Sequence, residues 1–249
     1  MENAPILLIA GTQIYPGAEP ELWTRYQGWQ DAAYTPLRLT VSGTRGADHY
    51  KIVNQNLQFP SSLLTYHLEN IREVGKSFEN PDRTALVTDL NTWINRRVIQ
   101  YVWSRWYELV KSFQNEAGQV ITKPESMVES ASFLHLEGYR LSPEDREKYE
   151  KWLDDYGFSV LIPLLVKLPG IKAYNCYKDT GLKAGIIHVR EGEYPDYLSV
   201  LYFENQKAFE DYTKSAELLA FQKAIANIFP SGLNYKWYVQ YQLVKSWRK

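Results

Sequence analysis

Residues 107–113 read YELVKSF and residues 241–247 read YQLVKSW, so the chain of 249 residues carries nearly the same phrase twice. The match extends to other stretches in the same order. Residues 20–31 (PELWTRYQGWQD) align with residues 143–154 (PEDREKYEKWLD), and the offset drifts slowly, as loop insertions would produce. Self-similarity on this scale is typical of two copies of one supersecondary unit. The sequence therefore predicts a duplicated fold.

Hydrophobic periodicity predicts the same element order, β-α-β-β-α-β, in each copy. The first copy covers residues 1–113 and the second covers residues 131–249. Residues 114–130, QNEAGQVITKPESMVES, are polar with Gly and Pro and are predicted to form a linker. In the second copy, Ser142 followed by Pro143 and Asp145 is a typical helix start.

The last strand of each copy carries aromatic residues at alternating positions, which places them on one side of a sheet. These residues are Tyr101, Trp103 and Tyr107 in the first copy, and Tyr235, Trp237 and Tyr241 in the second. A four-stranded sheet with two helices on one face leaves the other face to be covered. We therefore expect an α+β protein in which two fused ferredoxin-like repeats pack their antiparallel sheets into a pseudo-dimeric barrel, with the helices outside.

Composition and charge restrict the partners. The net charge is −1, and the Lys and Arg residues are scattered, which argues against nucleic acid as a partner. The start, MENAPILLIAGTQ, lacks the basic segment and long apolar core of a secretory signal. No stretch reaches the roughly 20 apolar residues of a membrane span. We expect a cytoplasmic monomer or homodimer that binds a hydrophobic small molecule and neither nucleic acid nor membrane.

Several cofactor and nucleophile motifs are absent from the sequence. It contains no Gly-rich phosphate loop, no His-x-x-x-His or carboxylate-rich metal spacing and no Gly-x-Ser-x-Gly elbow. The single cysteine, Cys176, excludes an internal disulfide and a thiolate cluster. The sequence predicts no metal site and no cofactor.

Residues 149–171, YEKWLDDYGFSVLIPLLVKLPGI, resemble a first-helix phrase of the dimeric α+β barrel (ferredoxin-like) superfamily, with Trp152, Asp154 and the Pro-Gly-Ile end kept. The resemblance covers the chain except for the linker and points to duplicated members of the ether-degradation-protein and polyketide-cyclase kind. It implies a pocket for a hydrophobic small molecule between sheet and helices.

The chain departs from that pattern where the family carries catalytic histidines. The histidine that follows the Trp-x-Asp motif is replaced by Gly157 in the second copy and by Tyr34 in the first. Tyr212 matches a tyrosine of olivetolic-acid-type cyclases, but Leu218 stands where those enzymes have a histidine. The resemblance therefore does not carry over their chemistry residue by residue.

Four residues are candidates for catalysis by proton transfer: His135, His67, Tyr212 and Asp154. His135 lies in a predicted strand on the same side as Glu137, which could orient the ring. An acid at the Asp154 position beside aromatic residues could have a raised pKa, although a helix surface facing water is an equally simple location. The predicted substrate-binding residues are aromatic: Trp103, Trp237, Tyr202, Tyr66 and Phe209.

These observations favour a cofactor-independent lyase or isomerase that cyclises, dehydrates, isomerises or decarboxylates a polyketide-like, aromatic or terpenoid molecule. Two alternatives stay open. The first is a binding protein without catalysis. The second, by resemblance, is a haem-binding or cofactor-free monooxygenase-type member of the fold, and a haem would need His135 or His188 as its ligand.

Overall fold

The computed structural model describes residues 4–54, 59–79, 81–124, 131–183, 194–225 and 235–249. The chain divides into two compact units. Unit 1 is built from the described residues of 1–108, 179–193 and 243–249, and unit 2 from those of 109–178 and 194–242.

Unit 1 packs four helices on one face of an antiparallel sheet. Its elements are β1 (Ile6–Ile14), α1 (Pro20–Trp29), α2 (Thr35–Thr40), β2 (Thr44–Ile52), β3 (Ser62–Leu68), α3 (Ile71–Glu79), α4 (Pro81–Asn95) and the first part of β4 (Ile99–Glu116). β1 pairs antiparallel with both β3 and β4, and β2 pairs antiparallel with β3. A π-helical turn, Gln30–Tyr34, joins α1 to α2.

Unit 2 has a similar order of elements. They are the second part of β4, β5 (Gln119–Lys123), β6 (Phe133–Arg140), α5 (Pro143–Trp152), α6 (Ile162–Val166), β7 (Ile171–Lys183), β8 (Tyr197–Phe203), α7 (Gln206–Thr213), α8 (Ala216–Ile225) and β9 (Tyr235–Arg248). A π-helical segment, Leu153–Leu161, joins α5 to α6. β6 pairs antiparallel with β8 and β9, and β7 pairs antiparallel with β8.

The α+β class predicted from the sequence is confirmed, while the duplication and the packing of the sheets into a barrel stay predictions. One local prediction is confirmed as well. Ser142 caps α5, because its Oγ accepts a hydrogen bond from the backbone N of Asp145 at 3.1 Å.

Three details differ from the sequence predictions. Part of the predicted linker is regular structure: β4 continues to Glu116 and pairs with β5, and Ala117 and Gly118 turn the chain with φ values of 50° and 85°. Positive φ at both central residues suits a two-residue hairpin turn. The predicted element order has one helix after β8, but the structure has two, α7 and α8, because Ser215 Oγ accepts from the Leu218 backbone N at 3.1 Å and starts a new helix.

The third difference concerns the aromatic residues of β4. The β1–β4 register shifts between Gly11 and Thr12, and such a bulge reverses which residues face the helices. Tyr101 therefore packs in the helix-side core of unit 1, whereas Trp103 lies on the other face, where its Nε1 is 3.3 Å from Tyr107 Oη. The prediction that all three share one side is wrong for Tyr101.

Aromatic side chains fill the space between the sheet and the helices of unit 1. The Tyr26 ring lies 5.6 Å from Trp23, 6.0 Å from Trp29 and 5.7 Å from Trp93, between ring centroids. Pairs at such distances contribute about 0.5–1.5 kcal/mol beyond the area that they bury. In the described part of the chain, every helix is too short or too polar to span a membrane.

A buried carboxylate holds the end of β9 against β2 in unit 1. Asp48 lies 3.0 Å from His67 Nε2, 2.5 Å from Ser246 Oγ and 2.7 Å from Arg248 Nη1. Burial alone would raise the pKa of Asp48, but His67, Arg248 and Ser246 outweigh it and hold the pKa at about 2. The carboxylate is therefore charged throughout the neutral range.

The substitution Asp48→Asn tests this network. The folded pKa lies below the usual value of 3.8, so the charge stabilises the fold by about 2 kcal/mol above pH 4, and this contribution is lost as the pH falls towards 2. Urea unfolding from pH 2 to pH 6 should show Asp48→Asn about 2 kcal/mol less stable at pH 6, with the difference shrinking towards pH 2. The exposed Asp155→Asn is the control. Parallel pH profiles for the wild type and Asp48→Asn would contradict the prediction.

Gly138 in β6 lies opposite Trp237 in β9, and a methyl group there would lie 2.4 Å from two ring carbons of Trp237. We expect Gly138→Ala to lower the free energy of unfolding by about 1–3 kcal/mol, because the strand and the ring must separate. Gly28→Ala, on the exposed side of α1 with no atom nearby, should instead raise it by about 0.5–1 kcal/mol. Chemical denaturation measures both, and equal effects would show that the Trp237 contact does not matter.

Candidate functional site

Unit 2 contains a cavity of about 150 Å³ between its sheet and its helices. An apolar cavity of this size accepts a molecule such as benzene. Most of the lining is apolar or aromatic, and the exposed Gln222 marks the side on which the cavity approaches solvent. The lining residues are Glu137, Tyr139, Tyr149, Trp152, Leu153, Leu161, Ile162, Leu165, Tyr174, Ser199, Leu201, Tyr212, Leu218, Phe221 and Gln222.

Glu137 is the one carboxylate among these lining residues. It lies on β6, whose odd-numbered side chains from Phe133 to Tyr139 face the helices, as strand alternation requires. Tyr139 Oη donates a hydrogen bond to Glu137 Oε2 at 2.5 Å. Burial, followed by the negative charge of Glu137, raises the pKa of Tyr139 well above its usual range. The phenol therefore stays protonated and keeps donating to the carboxylate.

His135 supports Glu137 from the other side. The amide nitrogen of Gln240 donates to His135 Nδ1 at 2.9 Å, which leaves the proton on Nε2, 3.2 Å from Glu137 Oε1. The imidazole ring lies flat against Phe209 at 5.3 Å between ring centroids. A chain of hydrogen bonds thus runs from Gln240 through His135 and Glu137 to Tyr139, and only its last two members line the cavity.

Several other polar groups of the cavity are neutral hydroxyls. Tyr212 reaches in from α7, and burial, with the charge of Glu137 as the second cause, raises the pKa of this phenol. Tyr174 Oη and Ser199 Oγ are hydrogen-bonded at 2.7 Å. Burial also raises the pKa of Tyr149 and Tyr174 well above the usual range. The cavity therefore offers one carboxylate and several protonated donors in an apolar wall.

The structure brings three of the predicted site residues together in unit 2: Tyr212 lines the cavity, and His135 and Phe209 lie directly behind its wall. Asp154 does not join them, because it is exposed in the π-helical segment and outside the lining. Trp237 packs against Gly138 on the sheet face that is turned away from the helices.

Tyr202 lies on that same far face of the unit 2 sheet, where the Asn175 amide donates to its hydroxyl at 3.4 Å. Three predicted residues belong to unit 1. Tyr66 is part of the helix-side core, His67 pairs with Asp48, and Trp103 contacts Tyr107. The predicted substrate-binding set is therefore divided between two units and both faces of the unit 2 sheet, and a role in binding stays a prediction for each member.

Sequence reasoning missed Tyr139, Tyr149 and Tyr174. A signal for Tyr139 was present, because strand alternation places it on the same face as His135 and Glu137. No such signal marked Tyr149, which reaches the cavity only because α5 packs on this part of the sheet. Leu218, at the place of the cyclase histidine, lines the cavity with an apolar side chain.

The residues at this cavity do not fit a haem. Haem iron needs a side-chain ligand with an available lone pair, and both ring nitrogens of His135 are engaged, by Gln240 and by Glu137. A cavity of about 150 Å³ also matches a single aromatic ring rather than a macrocycle. The other predicted haem ligand, His188, lies outside the described residues.

No protein-family model and no curated protein matches the sequence. Solved structures do match it along nearly its whole length. A structure described as an anthrone oxidase-like protein has a TM-score of 0.58 and 14% identity, covering 99% of this chain and 93% of that one. A candidate monooxygenase from Fusobacterium nucleatum has a TM-score of 0.61 and 9% identity, covering 100% and 96%.

A mutant chlorite dismutase from Candidatus Nitrospira defluvii, solved with cyanide, has a TM-score of 0.54 and 13% identity, covering 98% of this chain and 92% of that one. At these identities the likeness shows the fold alone. These structural neighbours have the ferredoxin-like, dimeric α+β barrel fold, and membership of that superfamily stays a prediction for this chain. The narrower resemblance to ether-degradation proteins and polyketide cyclases stays a prediction.

The alkylation rate of Cys176, the single cysteine, measures how often this part of unit 2 unfolds locally. It lies buried in β7 beside Tyr174, and burial raises the pKa of its thiol to about 12. Since the thiolate is the reactive form, we expect alkylation by iodoacetamide at pH 8 to be at least about 100-fold slower in the folded than in the urea-unfolded protein. A cysteine placed at the exposed Ser159 should react at the unfolded rate. Rapid labelling of native Cys176 would contradict this arrangement.

Proposed function

We propose that the protein is a cofactor-independent oxygenase of the monooxygenase type that acts on a small aromatic compound with an acidic C–H or phenolic O–H group. The observation that carries the proposal is the Glu137 carboxylate, held between Tyr139 and His135 in the wall of a cavity that is the size of one aromatic ring. A positioned carboxylate in an apolar pocket is a candidate general base.

The first step is removal of a proton from the substrate by Glu137. Tyr139 and His135 fix the carboxylate by donating to one oxygen each, so that it meets the substrate in a single orientation. The negative charge that develops on the substrate needs a donor, and Tyr212 is protonated and aimed into the cavity. Hydrogen bonding by Tyr212 then stabilises the enolate or phenolate oxygen.

The second step uses molecular oxygen as the oxidant. The electron-rich carbanion combines with O₂, and a ring CH₂ becomes a C=O group while the other oxygen atom leaves as water. In total, one CH₂ and one O₂ give one C=O and one H₂O, so atoms and electrons balance without a metal or flavin. The side chains of the cavity bind the substrate, orient it and transfer its proton.

The structural neighbours also support this choice. They include proteins described as anthrone oxidase-like and as a candidate monooxygenase, although their fold alone carries over. Proton removal without O₂ would instead give the lyase or isomerase chemistry expected from the sequence. A third candidate, binding without catalysis, uses the same cavity and predicts no turnover. We further propose a cytoplasmic monomer or homodimer whose partner is a hydrophobic small molecule.

The test separates proton removal from oxidation. Two one-ring phenols, phloroglucinol and resorcinol, are incubated with the protein in D₂O without oxygen, and C–H/D exchange is followed by NMR. The same mixtures in air are followed with an oxygen electrode. We expect exchange above the buffer rate and O₂ uptake, with Glu137→Gln lowering both by about 10²–10⁴-fold and Tyr212→Phe lowering them by about 10–10³-fold.

Asp154→Asn serves as the matched control, since this exposed carboxylate lies outside the cavity. Exchange without O₂ uptake would favour the isomerase or lyase chemistry over oxidation. Tight binding of both probes with neither exchange nor O₂ uptake would favour the binding protein. Activity that survives Glu137→Gln would remove Glu137 as the base and contradict the proposed mechanism.

A further inference from the structure

We propose that unit 1 holds a second small-molecule site, for an aromatic carboxylate anchored by Arg38. Arg38 lies on α2 and is only 5% exposed. Within the described part of the chain, its guanidinium has neither a carboxylate at ion-pair distance nor a hydrogen-bond acceptor. The Tyr66 ring centroid lies 5.7 Å from the guanidinium carbon.

A buried cation without a partner is strongly unfavourable. Unit 1 also contains the buried Asp48, and this carboxylate is paired with Arg248 and hydrogen-bonded to His67. Arg38 differs because the described chain supplies no such anion for it. A bound anion is the partner that would offset this unfavourable burial, and the planar guanidinium fork fits a carboxylate through two parallel hydrogen bonds.

A second buried group independently points to a ligand. Gln30 is 0% exposed, and neither its amide oxygen nor its amide nitrogen has a hydrogen-bond partner among the described residues. Such a group normally finds a partner in a folded protein. Gln30, Tyr34 and Arg38 form the buried stripe of the helical segment that runs from the π-helical turn through α2. They therefore face the same side.

The surroundings define the class of ligand. Gln30 and Arg38 are eight positions apart in the helical segment, which is about 12 Å along the axis. This spacing suits an aromatic ring with a carboxylate at one end and a polar group at the other. The Tyr66 and Tyr34 rings offer apolar walls. Burial raises the pKa of Tyr66 well above its usual range, so this phenol adds no negative charge. One buried cation matches a monoanion better than a phosphate dianion.

The site is independent of the oxygenase proposal, because its residues all belong to unit 1 and the cavity with Glu137 belongs to unit 2. Binding at Arg38 can therefore succeed or fail whatever the outcome of the oxygen and exchange measurements.

The test compares 4-hydroxybenzoate and p-coumarate with the neutral 4-hydroxybenzamide by isothermal titration calorimetry and urea unfolding. We expect the two carboxylates to bind at least about 10-fold more tightly than the amide, because only they pair with the guanidinium. Arg38→Met should bind them at least about 10-fold more weakly, yet be as stable as the wild type without ligand, since an apolar side chain replaces an unpaired charge. A purely structural Arg38 would make Arg38→Met less stable.

Gln30→Leu should weaken the binding of 4-hydroxybenzoate but leave that of benzoate unchanged, because benzoate lacks the second polar group. Arg45→Met, an exposed arginine paired with Glu69, is the control and should bind as the wild type does. If Arg38→Met does not fold, Arg38→Lys is measured instead. Lysine keeps the positive charge but lacks the planar guanidinium group that forms two parallel hydrogen bonds. Wild-type affinity in Arg38→Lys would overturn the proposal. Absence of Arg38-dependent binding at about 10 mM of either carboxylate, or preference for inorganic phosphate, also overturns it.

Discussion

Every polar group enclosed between a sheet and its helices needs a partner there, because bulk water does not reach it. In each unit, the arrangement of the buried polar side chains reflects how they obtain such partners. In unit 2, Gln240, His135, Glu137 and Tyr139 form a continuous chain of hydrogen bonds. In unit 1, Asp48 draws together His67, Ser246 and Arg248. The described residues supply no hydrogen-bonding or ion-pairing partner for the side chains of Arg38 and Gln30, and this is the reason for proposing that they bind a ligand.

The cavity of unit 2 gains its chemical character from a rigid element. β6 is hydrogen-bonded on both sides, to β8 and to β9, so its side chains have little freedom. A carboxylate on such a strand is held in place before any ligand arrives, which is the condition for efficient positioning. The helices contribute most of the apolar surface and two of the phenols, Tyr149 and Tyr212. Substitution of these helix side chains would change which ligand fits without moving the carboxylate.

The element order and the fold class could be predicted from the sequence, because the hydrophobic periodicity of strands and helices is a local property. The bulge in β4 could not, since a single extra residue depends on the pairing with β1 and not on the residues themselves. For the site, His135 and Tyr212 were predicted from residue type, while Glu137 was predicted only as a group that orients the His135 ring. Its importance depends on where α5 and α7 pack, and Tyr202 and Trp237 were assigned to the site without knowledge of which face they occupy.

The division of β9 between the units has a consequence for synthesis on the ribosome. Residues 109–178 and most of 194–242 can begin to assemble unit 2 as they emerge, but unit 1 also contains residues 243–249. Ser246 and Arg248 therefore emerge from the ribosome about 200 residues after Asp48, the carboxylate that they bind. Translation adds several residues per second, so tens of seconds pass between the synthesis of Asp48 and that of these two partners. During this interval Asp48 lacks both of them.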